Sequence, residues 1–130
     1  MDNQVRLLVV DDEPKICHLI EELLKLEGYR VDVSFSGMEA LQMIKKNEYQ
    51  MLLTDLKMPG IDGLELIKKA KKECPEIRAI MVTGNASVDI AIRSLRHKID
   101  GYIRKPFNIS KLRKVVRQTL CTHKIVLRKV

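Results

Sequence analysis

The sequence predicts a doubly wound α/β domain, in which five strands alternate with five helices around a parallel sheet. Three observations carry this. Short, almost continuous apolar runs at 5–10, 51–54 and 77–82 read as strands buried on both faces, the habit of a parallel sheet. Between such runs the apolar residues recur at helical spacing. The connections are short, and 130 residues is the size of one domain.

The first strand, 5–10, runs into Asp11-Asp12-Glu13-Pro14, where a proline among acidic residues marks a helix start. Ile16, Cys17, Ile20, Leu23 and Leu24 form the inner stripe of that helix, and Gly28 ends it. Val31, Val33 and Phe35 alternate with Asp32 and Ser34. Period two means a strand with one wetter side, placed at a sheet edge. Ser36, with Glu39 three residues on, caps a second helix that buries Met38, Leu41 and Ile44 or their neighbours. The third strand, 51–54, ends at Asp55, before a Met58-Pro59-Gly60 turn. Asp62 caps a third helix with Leu64, Leu66, Ile67 and Ala70 inside and Lys68, Lys69, Lys71 and Lys72 outside; Pro75 stops it.

The fourth strand, 77–82, leads to Thr83-Gly84-Asn85 and to a fourth helix over 87–96 that is apolar over much of its girth. A weaker fifth strand, 99–103, is broken by Lys105-Pro106. Ile109, Leu112, Val115, Val116 and Leu120 define the last helix, whose polar sides carry Lys111, Arg113, Lys114 and Arg117. Right-handed crossovers and an edge-like second strand favour the order 2-1-3-4-5, the flavodoxin-like (βα)5 arrangement. Its switch point lies beyond the carboxyl ends of strands one and three, where ligands bind.

Composition narrows the function. Residues 1–65 hold 7 Lys/Arg against 13 Asp/Glu, and residues 66–130 hold 17 against 4, so two surfaces of opposite sign are expected. Helical outer faces rich in lysine are the plainer reading of that asymmetry. Cys17, Cys74 and Cys121 are odd in number and lack CxxC spacing, which argues against a disulfide framework or a zinc site. No apolar run approaches the ~20 residues of a membrane span, and no signal peptide precedes Val5. A cytoplasmic location without membrane contact is expected. The six Met and few aromatics read as core filling.

The switch-point rule puts Asp11 and Asp12, ending the first strand, beside Asp55, ending the third. Three carboxylates this close repel one another, so an unbalanced cluster would raise a pKa or recruit a cation. All are hard oxygen donors, which suits Mg2+. The same loop lacks the glycines, hydroxyls or lysine that cradle a phosphate directly, so a metal must intervene. Thr83 and Lys105 add a hydroxyl and a charge at the same sheet end, completing the parts of a phosphoryl-transfer site. No general base such as His or Glu and no partnered Ser or Cys nucleophile is placed there, but a carboxylate can itself be the nucleophile, forming an aspartyl phosphate. Taken singly, Asp12 reads as a helix cap, Thr83 as a turn residue and Lys105 as a solvated charge; the combination at four strand ends outweighs these readings.

These residues resemble a family. The segments Leu8-Val-Val-Asp-Asp-Glu-Pro14, Leu53-Thr-Asp-Leu-Lys-Met-Pro-Gly60 with Asp62-Gly63, Met81-Val-Thr-Gly84 and Gly101-Tyr-Ile-Arg-Lys-Pro-Phe107 are similar to those of response-regulator receiver domains of bacterial two-component signalling. The resemblance covers about 4–120. The receiver domain is accordingly expected over 1–120, with 121–130 as a linker stub or helix extension that could dock a dimer. The resemblance implies that Asp55 accepts a phosphoryl group from a histidine kinase. Asp11, Asp12, Asp55 and the backbone carbonyl of Lys57 would hold Mg2+, and Lys105 would pair with the phosphorylated aspartate. The Lys105–Pro106 bond would be cis. Thr83 would move to the phosphoryl group and Tyr102 would turn into the space it leaves, changing the surface of the fourth helix, fifth strand and fifth helix. That surface lies in the basic half and would regulate an output domain or downstream protein, in a phosphorelay or in transcription regulation, with a phosphorylation-dependent homodimer as one form. Lys98-Ile99 stands where the family often has Gly-Ala, and Lys57 and Asn85 occupy positions that tune phosphoryl lifetime. The fourth helix is similar to that of receivers attached to sigma-54-type activators.

His18, His97 and His123 read as surface residues, with His18 alternatively a kinase contact. The rival functions differ in class. A haloacid-dehalogenase-like phosphatase needs a second Asp where Lys57 stands, and so an enzyme is not expected. A receiver-fold binding module acting without phosphorylation has no feature in its favour, since every acceptor residue is present. Direct nucleic-acid binding by Lys111, Arg113, Lys114, Arg117, Lys124, Arg128 and Lys129 lacks a helix-turn-helix and exposed aromatics, and an acidic protein partner is the favoured reading.

Overall fold

The computed structural model describes residues 4–84 and 99–129, with side chains described as far as Cys121. The elements are β1 (Arg6–Val10), α1 (Pro14–Leu26), β2 (Arg30–Ser34), α2 (Gly37–Lys46), β3 (Met51–Asp55), α3 (Gly63–Glu73), β4 (Arg78–Thr83), β5 (Gly101–Arg104) and a C-terminal helix (Ile109–Lys129). The predicted fourth helix, 87–96, and with it Asn85, Lys98 and His97, lies outside the described residues. The strands form one parallel sheet in the order β2-β1-β3-β4-β5.

Alternation along each strand feeds two cores. Leu8, Val10, Leu52, Ala79 and Met81 face α2 and α3. Leu7, Val9, Met51, Leu53, Ile80, Val82 and Ile103 face α1 and the C-terminal helix. The central strands therefore hold hardly an exposed side chain, which is why their sequences are continuous apolar runs. Local chemistry sets the ends. Gly28, at φ 92°, closes α1, and its amide donates to the Lys25 carbonyl. Ser36 and Asp62 accept from the amides of Glu39 and Glu65 and cap α2 and α3. Ile99 is buried against the α2–α3 core, in the position where the resemblance expects alanine.

Several expectations need correction. Met38 is 57% exposed, because Gly37, Ala40 and Ile44 form the inner stripe of α2. A β-carbon at Gly37 would strike the Ile61 side chain, so this helix approaches its neighbours through its smallest residues and turns Met38 outward. Not every methionine is core filling, although Met51, Met58 and Met81 are. Phe35 lies beyond the end of β2 and is exposed, and Ile109 is exposed on the first turn of its helix. The wetter side of β2 is drier than its pattern suggests: Ser34 is buried, and Asp32 is half-buried among Arg6 and Tyr49. Asp12 does not cap α1, whose N-cap is Glu13 with no side-chain bond.

Candidate functional site

The register brings the strand ends together. Val10 pairs with Thr54, Asp55 with Val82 and Thr83 with Arg104, so Asp11, Asp55, Thr83 and Lys105 share the carboxyl edge of the sheet. Asp11 is the best anchored. Its amide donates to the Ser34 carbonyl, 3.2 Å, and its carboxylate accepts from the Glu13 amide, 2.9 Å, and from Lys105 Nζ, 2.9 Å.

Behind Asp11 sits a residue whose role sequence reasoning missed. The buried Cys17 thiol donates to the carbonyls of Asp11, 3.3 Å, and Ser34, 3.5 Å. Burial, and then the Asp11 charge, push its pKa up to about 12, so it remains a donor and not a thiolate. The only signal in the sequence was a small polar-capable residue on the inner stripe of α1, one turn past the acid pair.

Asp55 ends β3, and its Oδ1 accepts from the Leu56 amide, 2.8 Å. Lys105 Nζ lies 3.7 Å from its Oδ2. Burial raises the Asp55 pKa; Lys105 opposes this, and the charges of Asp11 and Asp12 add to it. The loop after Asp55 is drawn back over the strand. The Gly63 amide donates to the Leu56 carbonyl, 2.8 Å, and a β-carbon at Gly63 would collide with the Asp55 carbonyl. Gly60 takes a left-handed φ of 81°, which explains a glycine in the turn.

Asp12 is exposed, and its carboxylate completes a cluster with Asp11 and Asp55. One ligand atom from each lies within 4.8 Å of the others. The cluster fits Mg2+ in donor type and in number, since a hard ion needs only one or two carboxylates and fills the remainder with water. Burial disfavours charge on Lys105, but its bond to Asp11 and the charges of Asp11, Asp55 and Glu13 outweigh that and raise its pKa. The ammonium is therefore held firmly as a cation between Asp11 and Asp55.

Thr83 is buried at the end of β4, and its carbonyl accepts from the Lys105 amide, 2.9 Å. The Lys105–Pro106 bond is cis. Gly84 is exposed, and a β-carbon there would make only ordinary contact with Lys105. Lys57 is exposed in the loop after Asp55. Tyr102 is not at this edge: it sits in β5, half-buried against the α2–α3 core. His18 is exposed, pairs with Glu21 at 3.1 Å and meets Phe35 edge-on, with ring centroids 5.9 Å apart. His123 lies where side chains are not described. The site so assembled presents three carboxylates, of a kind and number that suit a hard cation, and a fixed ammonium beside two of them.

Comparison with known proteins points one way. A family model described as the response regulator receiver domain matches residues 7–117. The transcriptional regulatory protein ZraR of Klebsiella oxytoca is 33% identical over 90% of this chain, which spans 26% of that protein. The sporulation initiation phosphotransferase F of Bacillus subtilis is 32% identical over 88% of this chain and 93% of its own length. Among solved structures, the response regulator TrrA of Thermotoga maritima, in complex with Mg2+ and BeF, superposes with a TM-score of 0.81 at 34% identity, over 89% of this chain and 99% of that one. The chain spans between a quarter and a half of the length of most of the curated relatives it matches.

Proposed function

We propose, on the premise that this chain belongs to the response regulator receiver domain family, that it is a phosphoacceptor switch working at Asp55. The observation that supports this most is the convergence of Asp11, Asp12 and Asp55 with the Lys105 ammonium at one sheet edge. An Asp55 oxygen attacks the phosphorus of a phosphohistidine on a histidine kinase; the P–N bond breaks and the imidazole leaves. Asp11, Asp12, Asp55 and the Lys57 carbonyl would hold Mg2+, which when bound would supply positive charge to offset that of the phosphoryl oxygens. Lys105, already beside Asp55, pairs with the product. A relative solved in complex with Mg2+ and BeF supports a metal-dependent reading.

Thr83 and Tyr102 are assigned to the switch. Thr83 lies at the acceptor edge, and Tyr102 is one strand away in a half-buried position from which a ring can turn. The readout is the basic face of the fourth helix, β5 and the C-terminal helix, which acts on an output domain or downstream protein, with a homodimer as one phosphorylated form. Residues 1–120 are assigned to the receiver unit and 121–130 to an extension, with which the continuation of the C-terminal helix to Lys129 agrees. ZraR is named a transcriptional regulatory protein and the Bacillus subtilis relative a phosphotransferase, so both transcription control and phosphorelay are outputs open to this switch. No helix among the described residues is long and apolar enough to cross a membrane.

The test is intact-protein mass after incubation with acetyl phosphate, with Mg2+, with a chelator, and on Asp55→Asn. One phosphoryl group gained only by the wild type with Mg2+ is the expected result. A gain that survives Asp55→Asn overturns the assignment of the acceptor.

A further inference from the structure

The C-terminal helix carries a stripe that the phosphoacceptor site does not use. Ser110, Arg113, Lys114, Arg117 and Gln118 recur three and four residues apart, all are exposed, and together they line a shallow hollow of about 260 Å3. Each of these side chains donates hydrogen bonds and none is acidic. A carboxylate is already seated on the stripe. Glu27, at the end of α1, accepts from Arg113 Nε at 3.0 Å through Oε2 and from Arg117 at 2.9 Å through Oε1. The Glu27 side chain is only 15% exposed, while those of Arg113 and Arg117 are 46% and 65% exposed. Each guanidinium has five donors, so most remain free for a second acceptor.

We infer that this stripe docks an acidic segment of a protein partner, and that Glu27 is its internal competitor. Carboxylates three and four residues apart on a partner helix repeat at the spacing of Arg113, Lys114 and Arg117. Glu27 shows the geometry each would take: one carboxylate bridging two guanidinium groups. The surroundings select a narrow ligand. Glu27, seated between the two arginines at the C-terminal end of α1, opposes a continuous polyanion such as duplex DNA, which carries one charge per ~1.7 Å. A helix with a few spaced carboxylates brings less charge against it. An incoming acid must also displace or share the arginines with Glu27, which weakens docking by the small worth of two half-exposed ion pairs.

The surface adds a partner to the proposed switch without resting on phosphorylation. It is tested on the unphosphorylated full chain with a fluorescent alanine-based helical peptide bearing glutamates three and four residues apart. Anisotropy at low ionic strength is the readout, and the glutamine version of the peptide is the control. Glu27→Gln is expected to tighten binding by roughly two- to fivefold, the range of exposed ion pairs. Lys114→Glu, which breaks no ion pair among the described residues, is expected to weaken it by at least about fivefold, reversing one charge at the contact. Unchanged or weaker binding by Glu27→Gln overturns the competitor role. Unchanged binding by Lys114→Glu, or tighter binding of duplex DNA or anionic vesicles than of the peptide, overturns the acidic-protein assignment. Failure of Asp55 to accept a phosphoryl group would overturn the proposed function and leave this titration unaffected.

Discussion

Lys105 stands 2.9 Å from Asp11 and 3.7 Å from Asp55, so its ammonium already occupies part of the field that a metal would neutralise. Its removal leaves three carboxylates facing one another with no cation. Lys105→Ala is expected to lower stability by about 2 kcal/mol in chelator, between the exposed and fully buried cases. Added Mg2+ is expected to raise its Tm by more than it raises that of the wild type. Melts with and without Mg2+ check this, and an equal rise in both proteins refutes it. Gly63 acts at the same scale. Only a hydrogen fits between its Cα and the Asp55 carbonyl. Gly63→Ala must push the acceptor loop outward, at a cost of about 1–3 kcal/mol. Acetyl-phosphate uptake by Gly63→Ala is expected to slow even at temperatures where circular dichroism shows it folded.

At the scale of elements, the edge strand β2 is held by a polar network as well as by its ladder to β1. Arg6 bonds Asp32 at 3.0 Å and lies over the Tyr49 ring at 4.9 Å, and Tyr49 Oη donates to Asp32 at 2.7 Å. Burial alone would raise the Asp32 pKa, but the bonds from Tyr49 and Arg6 outweigh it and hold the carboxyl below its ordinary value. A carboxylate lowered in the fold contributes stability that is present above its unfolded pKa of about 3.9 and lost as pH falls through the folded value. Tyr49→Phe is therefore expected to cost about 1 kcal/mol at pH 7. Its deficit in urea midpoint relative to wild type should shrink as the pH drops below about 4. A deficit that is the same at both ends of that range would mean that the hydroxyl acts through packing alone.

At the scale of the whole molecule, stability resides in the central strands, whose side chains are buried on both faces of the sheet. Leu53→Ala, in the middle of β3, is expected to cost about 2–5 kcal/mol, lowering the urea midpoint with little change in slope. Phe35→Ala, just past the sheet edge and 40% exposed, is expected to cost only about 1 kcal/mol. Comparable losses in the two variants would mean that Phe35 packs more tightly than its exposure shows.

The strand order and the residues at the acceptor edge were legible in the sequence. Continuous apolar runs, cap residues and short connections leave a right-handed (βα) winding few alternatives, and that winding brings Asp11, Asp12, Asp55, Thr83 and Lys105 to one edge. The sequence alone also determined that the potential metal ligands meeting there are carboxylates, hard oxygen donors. What it left open depended on how closely elements approach. Periodicity placed Met38 inside α2 with Ile44; Ile44 is buried, but Gly37, packed against Ile61, takes the inner place and Met38 is exposed. Alternation made Asp32 a solvent residue, but Arg6 and Tyr49 reached it from other segments. The thiol behind Asp11, the ammonium nearer Asp11 than Asp55, and the Glu27 carboxylate between Arg113 and Arg117 all join residues far apart in the chain. Local pattern reports which face of an element is apolar. Which polar groups then meet across that face is a matter of distances of a few ångströms, and only the packed tertiary structure sets those.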